Sequence, residues 1–159
     1  MENRLKKTSL RKGIIIIFFL LTIGIVSHIV YVKDQIMIVR QYYDSLINKD
    51  YEKAFDYLFL WDDYINNPTK LSEKEAREIY VSRLNSISQD IGYQVISAKF
   101  DRYREDGFTY YNTVVQIKIG DEINEITEHV RFIGRRIYIE GGQDKYVFYR
   151  QGKFKDWDI

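Results

Sequence analysis

Two groups of side chains in this 159-residue sequence have types that could do chemistry. The first is Tyr43, Tyr57, Trp61, Asp62 and Asp63, rings and carboxylates crowded into a short stretch. An aspartate held in an apolar pocket can act as a general base, and a tyrosine can donate to a developing oxyanion. The second is Glu125, His129 and Arg131, which share one face of an alternating stretch with Thr127. His129 there could transfer protons. Each group also has a plainer reading. The rings fill a core and Asp62–Asp63 sit in a solvated loop, while residues 125–131 form a wetted sheet face suited to contact with another molecule. The plainer readings are preferred.

Other chemistries lack their residues. The sequence has no cysteine, which excludes disulfides, thiolate metal sites, cysteine nucleophiles and a lipid-modified amino-terminal cysteine. With two histidines in all, three or four converging metal ligands are not in view. No phosphate loop, serine nucleophile elbow, deaminase signature or metalloprotease signature occurs. No metal and no cofactor is expected. Arg135 and Arg136 in "GRRIYIEGGQDK" could meet an acidic partner or an anionic membrane surface, and a solvated turn is their plainer role.

The elements that must position these residues begin with an apolar run. "GIIIIFFLLTIGIVSHIVYV" contains 19 residues, Ile14 to Val32, without an acidic side chain, lysine or arginine. As a helix it would cover about 28 Å, close to the roughly 30 Å hydrocarbon layer of a bilayer. Residues 1–13 hold five basic side chains against Glu2, so the positive-inside rule puts the amino terminus in the cytoplasm and residues 33–159 outside. The expected organisation is a basic tail over 1–13, a membrane anchor over 14–32 and one extracytoplasmic domain over 33–159. A cleaved signal peptide is the alternative. It lacks a small-x-small cleavage triplet, since the nearest, ending at Ser27, has Ile25 at its bulky end. His28 reads as an interfacial residue beside Tyr31. Beyond residue 13 there are 19 basic and 22 acidic side chains, a mildly acidic balance that argues against nucleic-acid binding by the domain.

Within the domain, Ile36, Val39, Tyr43, Leu46 and Ile47 recur at three and four, which predicts a helix over 34–48 that could continue from the span. "NKD" then breaks it, and Asp50 is suited to cap a second helix with Glu52 in its first turn and Tyr51, Ala54, Phe55 and Leu58 on its apolar face. Pro68 marks a loop. "SEKE", Ser72 to Glu75, is a capping box for a third helix over about 73–90, which Gly92 ends. The period then changes to two. Ile96, Ala98 and Phe100 form one strand face, followed by a turn at 105–107. Tyr111, Thr113, Val115, Ile117 and Ile119 form the next, followed by a turn at 120–122. Ile126, Val130 and Phe132 follow, and "KYVFYRQGKFKDWDI" reads as a last hairpin turning at Gln151–Gly152. The expected class is α+β: three helices packed on one face of a curved, mostly antiparallel sheet of four to six strands.

On these residues "VRQYYDSLINKDYEKAFDYL" resembles the opening of nuclear transport factor 2-like domains, the cone-shaped fold shared with ketosteroid isomerases. The shared features are the aromatic pair Tyr42–Tyr43, the polar break with Asp50, then Tyr51 and Ala54. "VFYRQGKFKDWDI" is similar to the family's closing hairpin, with Phe154 where tryptophan is common and Trp157 three residues later. The resemblance covers about residues 34–159. It implies a cone whose interior is either open as a pocket, with Tyr43, Tyr57, Trp61 and Asp62 facing it, or filled, with partners bound on the outer sheet face.

The layout of basic tail, span and such a domain is similar to anchored domains of bacterial secretion and conjugation machines. It is similar also to small exported proteins of Gram-positive bacteria. The expected function is therefore non-enzymatic binding or assembly outside the cytoplasmic membrane. The expected partners are the lipid bilayer through residues 14–32 and a membrane or cell-envelope protein, with a second copy of the chain as another. The alternative is an open-cone small-molecule-binding or isomerase-like domain.

Overall fold

The computed structural model describes residues 2–63, 67–105, 108–141 and 145–155. Eight elements follow in order: α1 (Glu2–Ile47), α2 (Tyr51–Phe55), α3 (Glu73–Asp90), β1 (Gln94–Glu105), β2 (Phe108–Ile119), β3 (Glu122–Ile133), β4 (Arg136–Gly141) and α4 (Lys145–Arg150). The chain divides into two units, Met1–Met37 and Ile38–Ile159, and α1 begins in the first and ends in the second. The class is α+β, with a four-stranded antiparallel sheet in the order β1-β2-β3-β4.

The first unit is helical. Large apolar side chains along it point outward, Phe18 at 72% and Phe19 at 65% exposure, with Leu20, Leu21, Ile25 and Val26 exposed likewise. The Ile17–Ile47 part of α1 contains an apolar window with a mean hydropathy of 1.7, none of which is buried in the protein. The helix is thus long and apolar enough to cross a membrane. It also contains His28, whose side chain lies outside the described residues.

In the second unit α1 buries Val39, Tyr42, Tyr43 and Leu46. It stops at Lys49, which takes a left-handed φ of 58°, and the amides of Lys49 and Asp50 donate to the carbonyls of Leu46 and Ser45. That is a Schellman closure, and it satisfies carbonyls that the ending helix leaves open. Asp50 then caps α2, its carboxylate accepting from the Lys53 amide at 3.2 Å. The second helix is shorter than its apolar spacing predicts. The chain leaves it at Phe55 because the next residues pair with β4 instead: Phe59 N donates to Ile137 O and Ile137 N to Tyr57 O. Leu58 is buried in this parallel bridge rather than on a helix face.

The third helix has the expected bounds. The capping box is complete, with Glu75 N donating to Ser72 Oγ and Ser72 N donating to Glu75 Oε2 at 2.9 Å. Ser72→Ala is expected to cost about 1 kcal/mol, read as an earlier midpoint in chemical denaturation with an unchanged slope. An unchanged midpoint would mean the box contributes nothing to α3. Gly92 turns the chain out of α3 at φ 67°, with Gly120 backbone close to where a Cβ would stand.

Two strand expectations are corrected. The inward partner of Ile117 on β1 is Val95, and the pairing shifts between Val95 and Ser97, so Ile96 is the extra residue of a bulge. The expected last hairpin is instead the helix α4 followed by an irregular segment. Val147 and Arg150 are three apart and both fully buried, a helical spacing, whereas a strand would put them on opposite faces. The expected 105–107 turn falls partly on residues 106–107, and these, like Trp157, lie outside the described residues. The turn at 120–122 is present, with Gly120 at φ 57°.

Candidate functional site

One face of the sheet is buried. Val95 on β1, Tyr111, Thr113, Val115 and Ile117 on β2, Ile126 and Val130 on β3, and Ile137 and Ile139 on β4 supply it. Within this apolar face stands Glu128, fully buried between Ile126 and Val130 and opposite Thr113. An isolated carboxylate there would be untenable, because burial strips its water. Residues from several elements compensate it. Tyr43 on α1 donates its hydroxyl to Glu128 Oε2 at 2.6 Å. Arg150 on α4, also fully buried, forms an ion pair with Glu128 Oε1 through Nη2. The Arg150 Nη1 donates to the hydroxyl of Tyr93, between α3 and β1. Tyr42 donates to the Arg150 carbonyl at 2.7 Å.

Burial pushes the Tyr43 and Tyr80 hydroxyls well above the ordinary phenol range, so both keep their protons at neutral pH. Burial opposes the charge on Arg150, but its guanidinium is held above its usual value, with the Tyr93 hydroxyl accepting from Nη1. The cluster is thus a carboxylate and a guanidinium joined by tyrosine hydroxyls.

The segment after α4 is tied to Trp61 and to α3. Trp61 N donates to Gly152 O, Phe154 N donates to Trp61 O, and Arg83 donates to the carbonyls of Gln151 and Lys153. Gly152 is needed here because a Cβ would overlap the Phe59 carbonyl.

The structure distributes the expected pocket residues over two places. Tyr43 is in the buried cluster. Tyr57, Trp61 and Asp62 lie along the segment beside β4. Tyr57 offers its carbonyl to Ile137, Trp61 packs 5.4 Å from the Tyr138 ring, and Asp62 accepts from the Lys70 amide at 3.3 Å. Asp63 pairs with Lys155 at 2.8 Å. Arg136 donates to the Asp56 carbonyl. The sequence reading missed Glu128, whose one signal is its alternating position between Ile126 and Val130. Arg150 had no signal under a strand reading.

The opposite face carries Glu125, His129 and Arg131, as their alternation predicts, and the register arranges this face in rows. Tyr103, Tyr110, Arg131 and Tyr138 are successive cross-strand partners across all four strands. Tyr103 and Tyr110 stack at 5.3 Å, and the Arg131 guanidinium sits 4.8 Å from the Tyr138 ring. Trp61 and then Lys153, 5.6 Å from the Trp61 ring, extend this row. The adjacent row is Asp101, Asn112, His129 and Glu140. His129 Nδ1 lies 3.4 Å from the Tyr103 hydroxyl. Glu125 accepts from Gln116 at 3.4 Å elsewhere on the sheet. Among the described residues no group of three or more histidine, aspartate or glutamate side chains converges as a metal site.

Comparison with protein-family models, with curated proteins and with solved structures finds no match to this chain.

Proposed function

We propose that this chain is a single-pass membrane protein that displays a non-enzymatic binding or assembly domain outside the cytoplasmic membrane. The observation that carries the binding reading is the pair of rows on the outer sheet face, an aromatic–cationic row beside an acid–amide–histidine row. His129, Asp101 and Glu140 are exposed there, and Tyr and Arg are the residues most often found as anchors at protein interfaces. The partner on this reading is a membrane or cell-envelope protein, and the anchor over residues 14–32 raises its effective concentration by holding both in one plane. The basic residues before the apolar run support a cytoplasmic amino terminus.

The domain's fold, on this proposal, is nuclear transport factor 2-like. Helices preceding an antiparallel sheet support that assignment, while α4 in place of the closing hairpin departs from the pattern.

The test is His129→Ala with Arg131→Ala in the full chain. Partners recovered by cross-linking in native membranes should fall at least several-fold, with a cooperative melt retained at a temperature lowered by the loss of the Arg131–Tyr138 contact. Full recovery of every partner by the folded double variant would remove this face from the proposal. A second reading, a small-molecule-binding or isomerase-like interior, is favoured by the Tyr43–Glu128 hydrogen bond, a donor and a carboxylate of the kind such a site requires. Binding of a small molecule beside Glu128 in the unmodified chain would support it over the outer face.

A further inference from the structure

We infer that the domain interior is a guanidinium-binding site that the chain fills in cis with Arg150. The receptor groups are Glu128, Tyr43 and Tyr93, and they come from β3, α1 and the α3–β1 connection. None comes from residues 145–155, which deliver the guanidinium. The receptor is therefore assembled by one part of the chain and occupied by another, as a protein site is occupied by a ligand.

The chemistry of the receptor is selective. Tyr43 holds Glu128 Oε2, which leaves Oε1 for one guanidinium nitrogen, and the Tyr93 hydroxyl accepts from a second nitrogen. The Tyr93 ring lies 5.9 Å from the guanidinium carbon. A planar fork with several donors can meet a carboxylate and a second acceptor at once, while an ammonium offers a single point of charge. Packing alone does not require this arrangement, since apolar residues of similar volume often replace a buried ion pair without loss. The ligand class is thus a singly alkylated guanidinium, the chemistry of an arginine side chain. The site shares no residue with the outer sheet face, so it stands or falls apart from it.

Replacing Arg150 with alanine keeps the receptor residues Glu128, Tyr43 and Tyr93 and vacates the ligand position. In full-length Arg150→Ala, N-ethylguanidinium is expected to raise the melting temperature in a saturable way. Ethylammonium at the same ionic strength should bind roughly tenfold more weakly. The unmodified chain should show no such rise, its site being filled. The double variant Glu128→Gln with Arg150→Ala should lose the response, because the carboxylate that selects the fork is gone. If Arg150→Ala does not fold by itself, its recovery as folded protein in N-ethylguanidinium but not in ethylammonium supports the site equally. Equal effects of the two cations, no response in either form of the assay, or an undiminished response in the double variant would overturn the inference.

Discussion

Arg150→Met is expected to lose about 3–5 kcal/mol of folding stability, while Glu128→Gln combined with Arg150→Met loses far less. The single change leaves Glu128 buried, with the Tyr43 hydroxyl still donating to it but its ion-pair partner gone. The protein must then keep an uncompensated charge in an apolar interior or take up a proton there. The double change removes both charges together. The glutamine side chain of Glu128→Gln would still offer an oxygen to Tyr43, and methionine would occupy much of the space of the arginine stem. The expected coupling between the two sites is at least about 2 kcal/mol, which a double-mutant cycle in chemical denaturation measures. Additive losses would mean that Glu128 and Arg150 do not compensate each other's charge, and the buried ion pair would not be what holds α4 against the sheet.

Gly152→Ala is the second large effect. A Cβ at this position overlaps the Phe59 carbonyl oxygen and comes to 2.9 Å from its carbon and 3.4 Å from the Leu60 Cα. All three are main-chain atoms, so no side chain can swing away to make room. Residues 59–61 or 151–153 must shift, and both hold hydrogen bonds that depend on their spacing: Trp61 N to Gly152 O at 2.8 Å and Phe154 N to Trp61 O at 2.9 Å. The expected loss is about 1–3 kcal/mol from overpacking, together with faster proteolysis within residues 145–155. Gly134→Ala is the control. Gly134 has a φ of 62° with open space around it, so that variant meets backbone strain without a clash and should leave the carboxy-terminal segment protected. Equal proteolysis of the two variants would show that Gly152 does not hold the segment down.

Much of this architecture is decided by short-range rules. The capping box at Ser72–Glu75, the cap at Asp50 and the turn at Gly92 are each settled within a few residues, because helix ends are local constraints, and the apolar run is read from composition alone. The change from helical to alternating period likewise places Glu125, His129 and Arg131 on one face before any contact is known. The rows that His129 and Arg131 join needed the register. Tyr103, Arg131 and Tyr138 come from three different strands, and only strand pairing aligns them.

The interior was decided by tertiary structure. Glu128 sits at an inward position of its strand, but alternation alone cannot say that a charged residue there will be retained and paired. Its counterion, Arg150, comes on a helix too short to have a clear period, and the tyrosines that complete the cluster come from other parts of the chain. A short segment such as "KYVFYR" has similar local preference for strand and helix. Burying Val147 and Arg150 on one side selected the helix, because that choice brings the guanidinium to the carboxylate while keeping Val147 in the core. The sequence by itself thus determined where the chain becomes apolar, helical or alternating, through interactions spanning a turn or a strand pair. Which charges meet in the core was left to packing, where desolvation makes an unpaired carboxylate too costly to keep.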